Sequence, residues 1–226
     1  MKITKLKKTL GQITIDINDF EISEGKVHGI IGHNGCGKTS LCKLLLDLIP
    51  AEESHIDWNG LKQTDITMTS QRPYLLKGTV YDNIIYPLKL RKITPDETFI
   101  KECLQRFGLL DKKDQYALSL SSGERQKLSL IRAFIFNPRF VIIDETFANL
   151  DFESVKTFEE FILENQKKAN STFIIISHQL PQLQRLCDKL HFMEKGKIIE
   201  SGDTKKLLNN SSNQKVRDYL KSQILQ

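Results

Sequence analysis

Residues 32–40 read GHNGCGKTS, three glycines followed by a lysine and two hydroxyl side chains. A polyphosphate needs many hydrogen-bond donors and no side chains in the way. Gly32, Gly35 and Gly37 let successive backbone N–H groups turn inward, and a helix starting beyond them adds the positive end of its dipole. His33, Asn34 and Cys36 complete the loop, Lys38 would reach the outer phosphates, and Thr39 would ligate Mg2+. Ser40, next along the helix, belongs to the same phosphate-binding set. A metal held this way needs an acid at the tip of a neighbouring strand. FVIIDE offers Asp144, to hold the ion through water, and Glu145 beside it, placed to polarise an attacking water as a general base.

A second stretch, LSSGERQKL (120–128), opens an amphipathic helix with two serines and a glycine. Taken alone, Ser121 or Ser122 caps that helix and Glu124 suits the positive end of its dipole. The same start is also ready for an anion. Cys36, among inward N–H groups at a helix start, is expected to have a lowered thiol pKa.

These groups require elements that hold them. Ile13, Ile15 and Ile17, then Phe20 and Ile22, alternate as strands with one buried face, and SEGK turns the chain into the buried run VHGII. After Lys38, Leu41, Leu44, Leu45, Leu48 and Ile49 fall at helical spacing and predict a helix ending at Pro50. SHIDWNG and DITMTS read as short strands. From Pro73 to about Asn137 the pattern is largely helical, an insertion into the core. FVIID and TFIIIS have the near-continuous β-branched character of central parallel strands, joined by a helix over FESVKTFEEFILENQKKA. KLHFMEKGKIIESG predicts a hairpin turning at Glu194–Lys197, and a short helix ends the chain. The fold class is α/β.

Composition narrows the partners. The net charge of +5 is spread along 226 residues rather than gathered in a basic block, which gives no case for nucleic acid. Cys36, Cys42, Cys103 and Cys187 show neither disulfide nor zinc spacing. The basic start MKITKLKKTL lacks the apolar run of a secretory signal, and LCKLLLDLI, the richest apolar stretch, is too short to cross a bilayer. If the protein works at a membrane, another chain supplies the span.

Taken together and in this order, the motifs resemble the ATP-binding cassette (ABC) family over nearly the whole chain. GHNGCGKTS resembles its Walker A loop, Gln71 in TSQRPYLL its Q-loop, LSSGERQ its signature, FVIIDE its Walker B, FANLD ending at Asp151 its D-loop, and His178 in IISHQ its switch histidine. The resemblance implies one cassette over 1–226: a P-loop NTPase core with a mainly parallel sheet flanked by helices, an N-terminal antiparallel β part, and a helical subdomain near 73–137 carrying the signature. It implies ATP and Mg2+, with Gln71 sensing the metal and water and His178 contacting the terminal phosphate. It also implies that two cassettes, read here as two copies of this chain, pack head to tail, so that Ser121, Gly123 and the helix dipole grip the ATP held by the partner's loop, with Asp151 at the same interface. Cys36, from its position in the loop, either packs inertly or, if oxidised, would block ATP binding.

Three departures stand out. Ser122 occupies a position where the family usually has glycine, Glu124 replaces the usual glutamine, and no aromatic precedes Phe20 to stack on a base, leaving Leu10 or Ile13 to cover it. Lys38 and Ser121 lie only 83 positions apart, which leaves no room for the long coiled coils of chromosome-maintenance relatives. A lone cassette without a span implies the motor of a transporter: peripheral at the cytoplasmic face, bound to integral-membrane permease subunits and working with a solute-binding protein. By the same resemblance PYLLKGTVYDNIIYPLKLR would receive a permease helix, the alternative being internal packing of the subdomain. The wording resembles importers of tungstate or molybdate. The alternative is a weakly hydrolytic regulatory or scaffold ATPase outside transport.

Overall fold

The computed structural model describes residues 1–224. Two antiparallel strands open the chain, β1 (Lys2–Leu10) and β2 (Ile13–Glu21), with Ile3 opposite Phe20 and Leu6 opposite Ile17. On both strands the buried residues here are three apart instead of two. Asp19 absorbs the extra residue in left-handed backbone (φ 48°), so the apolar side chains return to one face. Strict alternation therefore finds β2 and misses β1. β3 (Val27–Ile31) then runs through the glycine loop into α1 (Lys38–Leu45). This helix stops one turn earlier than its apolar spacing predicts: Asp47 turns left-handed (φ 53°) and Leu48 is 66% exposed. β4 (Glu53–Asp57) completes a three-stranded sheet in the order β2-β1-β4, and β5 (Ile66–Thr69) enters a second sheet.

Three helices follow, α2 (Val80–Arg91), α3 (Glu97–Arg106) and α4 (Ser122–Phe134), capped by Thr79, Asp96 and Ser121. The chain continues through β6 (Phe140–Asp144), α5 (Phe152–Ala169), β7 (Thr172–Ile176), α6 (Leu180–Leu186), β8 (Lys189–Glu194) and β9 (Lys197–Asp203). It ends in α7 (Thr204–Asn210), which the sequence pattern did not announce, and α8 (Gln214–Ile224). The second sheet has the order β5-β6-β7-β3-β8-β9, parallel except for the edge strand β9.

Alternate residues of the central strands feed two cores. Ile31, Val141, Ile143, Phe173 and Ile175 face Leu128, Ile131, Phe134, Phe158 and Ile162 of α4 and α5. Ile30, Ile142, Ile174 and Ile176 face α1 and the antiparallel sheet. Each such side chain stabilises the fold by roughly 1.5–3 kcal/mol through burial. This register aligns the site. Asp144 pairs with Ile176 and Ile176 with Ile30, so Glu145, His178 and Gly32 all emerge just beyond one carboxyl edge of the sheet, where ligands of such folds bind.

Candidate nucleotide site

The glycine loop is held from several directions. Gly32 (φ 147°), Gly35 (φ 74°) and Gly37 (φ 110°) all adopt left-handed backbone, and a Cβ on Gly37 would lie 2.3 Å from Ile15 Cδ1. The Lys38 ammonium is buried and donates to Gly32 O (2.8 Å) and His33 O (3.2 Å). The turn between β8 and β9 adds a strap: Gly196 N–H donates to Cys36 O (2.8 Å), and Gly196 O accepts from Asp16 N–H (2.9 Å). His33, Asn34 and Gly35 form the exposed rim. Cys36 is buried, and desolvation raises its thiol pKa despite the nearby Lys38, contrary to the expectation from the helix start.

At the start of α1, Thr39 Oγ1 donates to Asp144 Oδ2 at 2.7 Å. Asp144 is 5% exposed, its Oδ1 is buried with no hydrogen-bond partner among the described residues, and burial pushes its carboxyl above the ordinary range. A buried, unpaired carboxylate oxygen beside a hydroxyl suits a hard cation that needs few protein ligands and keeps waters and phosphate oxygens for the rest. Mg2+ therefore fits these residues.

Glu145 directly follows β6 in left-handed backbone (φ 48°), an unusual conformation for a non-glycine residue and one that turns its side chain out of the strand direction. Its Oε1 lies 2.7 Å from His178 Nε2, and its N–H donates to Ile176 O at 3.0 Å. A carboxylate can only accept, so the His178 Nε2 carries the proton in this contact. Two residues read separately from the sequence thus meet. Gln71 lies exposed in the loop beyond β5 at the same sheet edge. Next to it, the buried Gln126 of α4 donates through Nε2 to Ser70 O at 3.2 Å, a tie from α4 to the loop beyond β5 that no local pattern in the sequence announces. Thr69 and Thr146 hydroxyls add a buried contact at 2.8 Å between the β5 and β6 ends.

The signature start is exposed. Ser121 caps α4 by accepting from Glu124 N–H, and Glu124 in return accepts from Ser121 N–H at 2.9 Å. The Glu124 carboxylate also pairs with Lys112, which, with these bonds, lowers its pKa to about 2. The charge that replaces glutamine is thereby occupied inside its own helix start. Ser122 has helical backbone, outside the left-handed region, so the backbone conformation itself does not call for glycine there. Gly123 is half-buried in the first turn. Arg125 holds the approach to the motif by donating to Leu118 O and to Leu120 O (2.8 Å). Asp151 caps α5, accepting from Ser154 N–H (2.8 Å) and Ser154 Oγ (2.7 Å), and these bonds lower its carboxyl to about 2.

Beside the glycine loop opens a cleft of about 1060 Å3 lined by Thr9, Leu10, Ile13, Thr14, Lys7 and Lys197, among others. Leu10 and Ile13 are its apolar wall on the antiparallel sheet.

The profile of the ABC transporter family matches residues 15–148. Over 206 residues the chain is 35% identical to the tungstate uptake system ATP-binding protein TupC of Peptoclostridium acidaminophilum, spanning 88% of this chain and 96% of that protein. The chain belongs to the ABC transporter family. Within that family it is also 30% identical over 227 residues to the methionine import ATP-binding protein MetN 4 of Oceanobacillus iheyensis, covering 91% of this chain but 65% of the longer relative. A solved structure described as the ATP binding subunit of an ABC transporter superposes with TM-score 0.86 over 97% of this chain and 98% of its own, at 20% identity, a likeness of fold. This ABC chain is an ATP-binding subunit and an ATPase. None of its described helices is long and apolar enough to cross a membrane.

Proposed function

We propose that this ABC ATPase drives import by closing two copies head to tail, each ATP clamped between one copy's glycine loop and the other's Ser121 helix start. The observation that carries the hydrolytic half is the Glu145–His178 contact at 2.7 Å on the same sheet edge as the Thr39–Asp144 bond. Lys38 exchanges the loop carbonyls for the outer phosphates. Glu145 accepts a proton from the attacking water, and His178 orients that carboxylate while reaching the terminal phosphate. Thr39 and Asp144, with Gln71 from the neighbouring loop, would hold Mg2+, which neutralises phosphate charge when bound. The exposed Ser121 hydroxyl uses its lone pair within the cap and keeps its proton for a phosphate oxygen of the partner's ATP, aided by Gly123 N–H and the dipole of α4. Asp151, beside the 79% exposed Phe152, would lie at the same junction. Leu10 and Ile13 would cover the base without an aromatic.

A groove of about 310 Å3 lined by Tyr74, Leu76, Tyr86, Pro87 and Leu90 would seat a helix of the membrane permease. Tyr74 is 78% and Leu90 64% exposed there, while Arg132 fixes the rim by donating to Tyr74 O at 2.5 Å. In this reading the chain works at the cytoplasmic face of the membrane, with a solute-binding protein completing the complex. The near full-length match to a tungstate uptake protein favours an oxyanion as cargo. The test uses Glu145→Gln, which should bind ATP, hydrolyse it at least about 100-fold more slowly and accumulate as a dimer on size exclusion. Wild-type turnover by this variant, or a monomer at saturating ATP, refutes the mechanism. Turnover of the wild type should rise on adding permease subunits.

A further inference from the structure

Helix α8 reaches the glycine loop with a residue that the chemistry above leaves unused. Tyr219 is 2% exposed, and its ring meets His33 edge-on at 5.1 Å and Phe192 at 5.0 Å. Its hydroxyl is buried beside the Gly32 backbone, whose pull partly offsets the desolvation that raises its pKa, but it makes no hydrogen bond of ordinary geometry among the described residues. Such a stranded hydroxyl is costly unless some state of the protein supplies its partner. On the loop's other flank a Cβ on Gly32 would lie 2.1 Å from Met193 O, so the end of β8 and α8 enclose this glycine between them. A second tie runs from the Lys215 ammonium to Glu194 at 2.6 Å, and Glu194 itself lines the nucleotide cleft. Between these elements lies a cavity of about 540 Å3 bounded by His33, Asn34, His178, Tyr219 and Ser222.

We propose that Tyr219 is a positioning residue for the glycine loop, through which docking of α8 and binding of the triphosphate strengthen each other. The ring supports His33, whose carbonyl accepts from both Lys38 Nζ and Cys36 N–H at 3.2 Å and so shapes the loop's first turn. The hydroxyl finds its partner in the Gly32 amide when the loop tightens around phosphate. Coupling of this kind is reciprocal: whatever ATP adds to α8 docking, α8 docking adds to ATP affinity. The proposal rests on residues 32–40 being the triphosphate site.

The experiment compares the full chain with Tyr219→Phe, which removes only the hydroxyl, and with Lys38→Ala, measuring ATP affinity, kcat and KM, nucleotide-free thermal unfolding, and amide exchange across residues 214–223 with and without ATP. Tyr219→Phe is expected to unfold at or above the wild-type temperature and keep kcat, with Kd and KM for ATP raised about three- to tenfold. ATP should slow exchange in α8 of the wild type and do so less in the variant. Wild-type ATP affinity in Tyr219→Phe overturns the proposal, as does α8 exchange indifferent to ATP. Lys38→Ala keeps the two readings apart: undiminished ATP binding by that variant overturns the assignment of the loop itself, whatever Tyr219→Phe does.

Discussion

Acidification from pH 7.5 to 5.5 should destabilise the fold through one buried pair on the strands that lead to the glycine loop. His28 of β3 and His191 of β8 stack with Nδ1 and Nε2 at 2.8 Å. The hydrogen bonds dictate their protons. His28 Nε2 donates to Ser23 O at 3.1 Å, because a carbonyl only accepts. In neutral rings His28 Nδ1 then accepts from His191 Nε2–H, and His191 Nδ1 accepts from the Ser201 hydroxyl at 2.8 Å. A further proton on His28 Nδ1 would set two donors against each other, and one on His191 Nδ1 would force the Ser201 hydroxyl to turn from donor to acceptor. Desolvation is the main cause that lowers His28 to about 4 and His191 to about 3, with Lys189 adding to both. The unfolded chain, with histidine near 6.5, binds more protons than the native state below that pH, so stability is lost as pH falls. At pH 5.5 each unfolded ring is about 90% charged, which integrates to roughly 1.4 kcal/mol per histidine, or about 3 kcal/mol for the pair. For a chain of this size that is a fall in Tm of roughly 6–12 °C. Glu124 and Asp151, held near 2, titrate outside this window, their contributions falling away at lower pH. Guanidinium unfolding at both pH values and constant ionic strength measures the change, with His28→Gln and His191→Gln each expected to keep about half of it. A wild-type stability that moves by less than about 0.5 kcal/mol between pH 7.5 and 5.5 refutes the argument.

Gly196→Ala should destabilise the chain by about 1–3 kcal/mol and weaken ATP binding, because residue 196 has φ 81° and a Cβ there would lie 1.9 Å from Thr14 O; chemical denaturation and nucleotide titration read the two effects. Cys36 should resist alkylation at pH 7.5 in the folded chain and react at least about tenfold faster in denaturant, since burial raises its thiol pKa; equal rates measured by mass spectrometry contradict that burial. Asp144→Asn should lose ATPase activity while matching or exceeding the wild-type Tm without nucleotide, because a buried unpaired carboxylate oxygen lowers stability for the sake of function; a Tm drop of more than about 5 °C contradicts this.

Much of the site was legible because its chemistry is local in sequence. GHNGCGKTS carries its glycines, lysine and hydroxyls within nine positions, and the strand–loop–helix around it is what such a loop requires. Asp144 and Glu145 were found because they end a buried run. The strand β1 is not legible because its buried Ile3 and Leu6 straddle the register shift between Ile3 and Lys5, whereas β2 keeps Ile13, Ile15 and Ile17 in period two before its own break at Asp19; the spacing overextends α1 because hydropathy does not register the left-handed turn at Asp47. Cys36 shows the limit of a local rule: a helix start favours a thiolate, but the burial that outweighs it is contributed by distant strands.

The chain by itself determined the identity and order of the reacting groups, since spacing along one segment can place a phosphate cradle or cap a helix without help from elsewhere. Only the tertiary structure decided which groups touch. Sheet register brought Glu145 to His178 across 33 positions and Thr39 to Asp144 across 105, and chain return placed Gly196 and Tyr219 against the glycine loop. Those contacts depend on strand order and register, quantities that no run of adjacent residues contains.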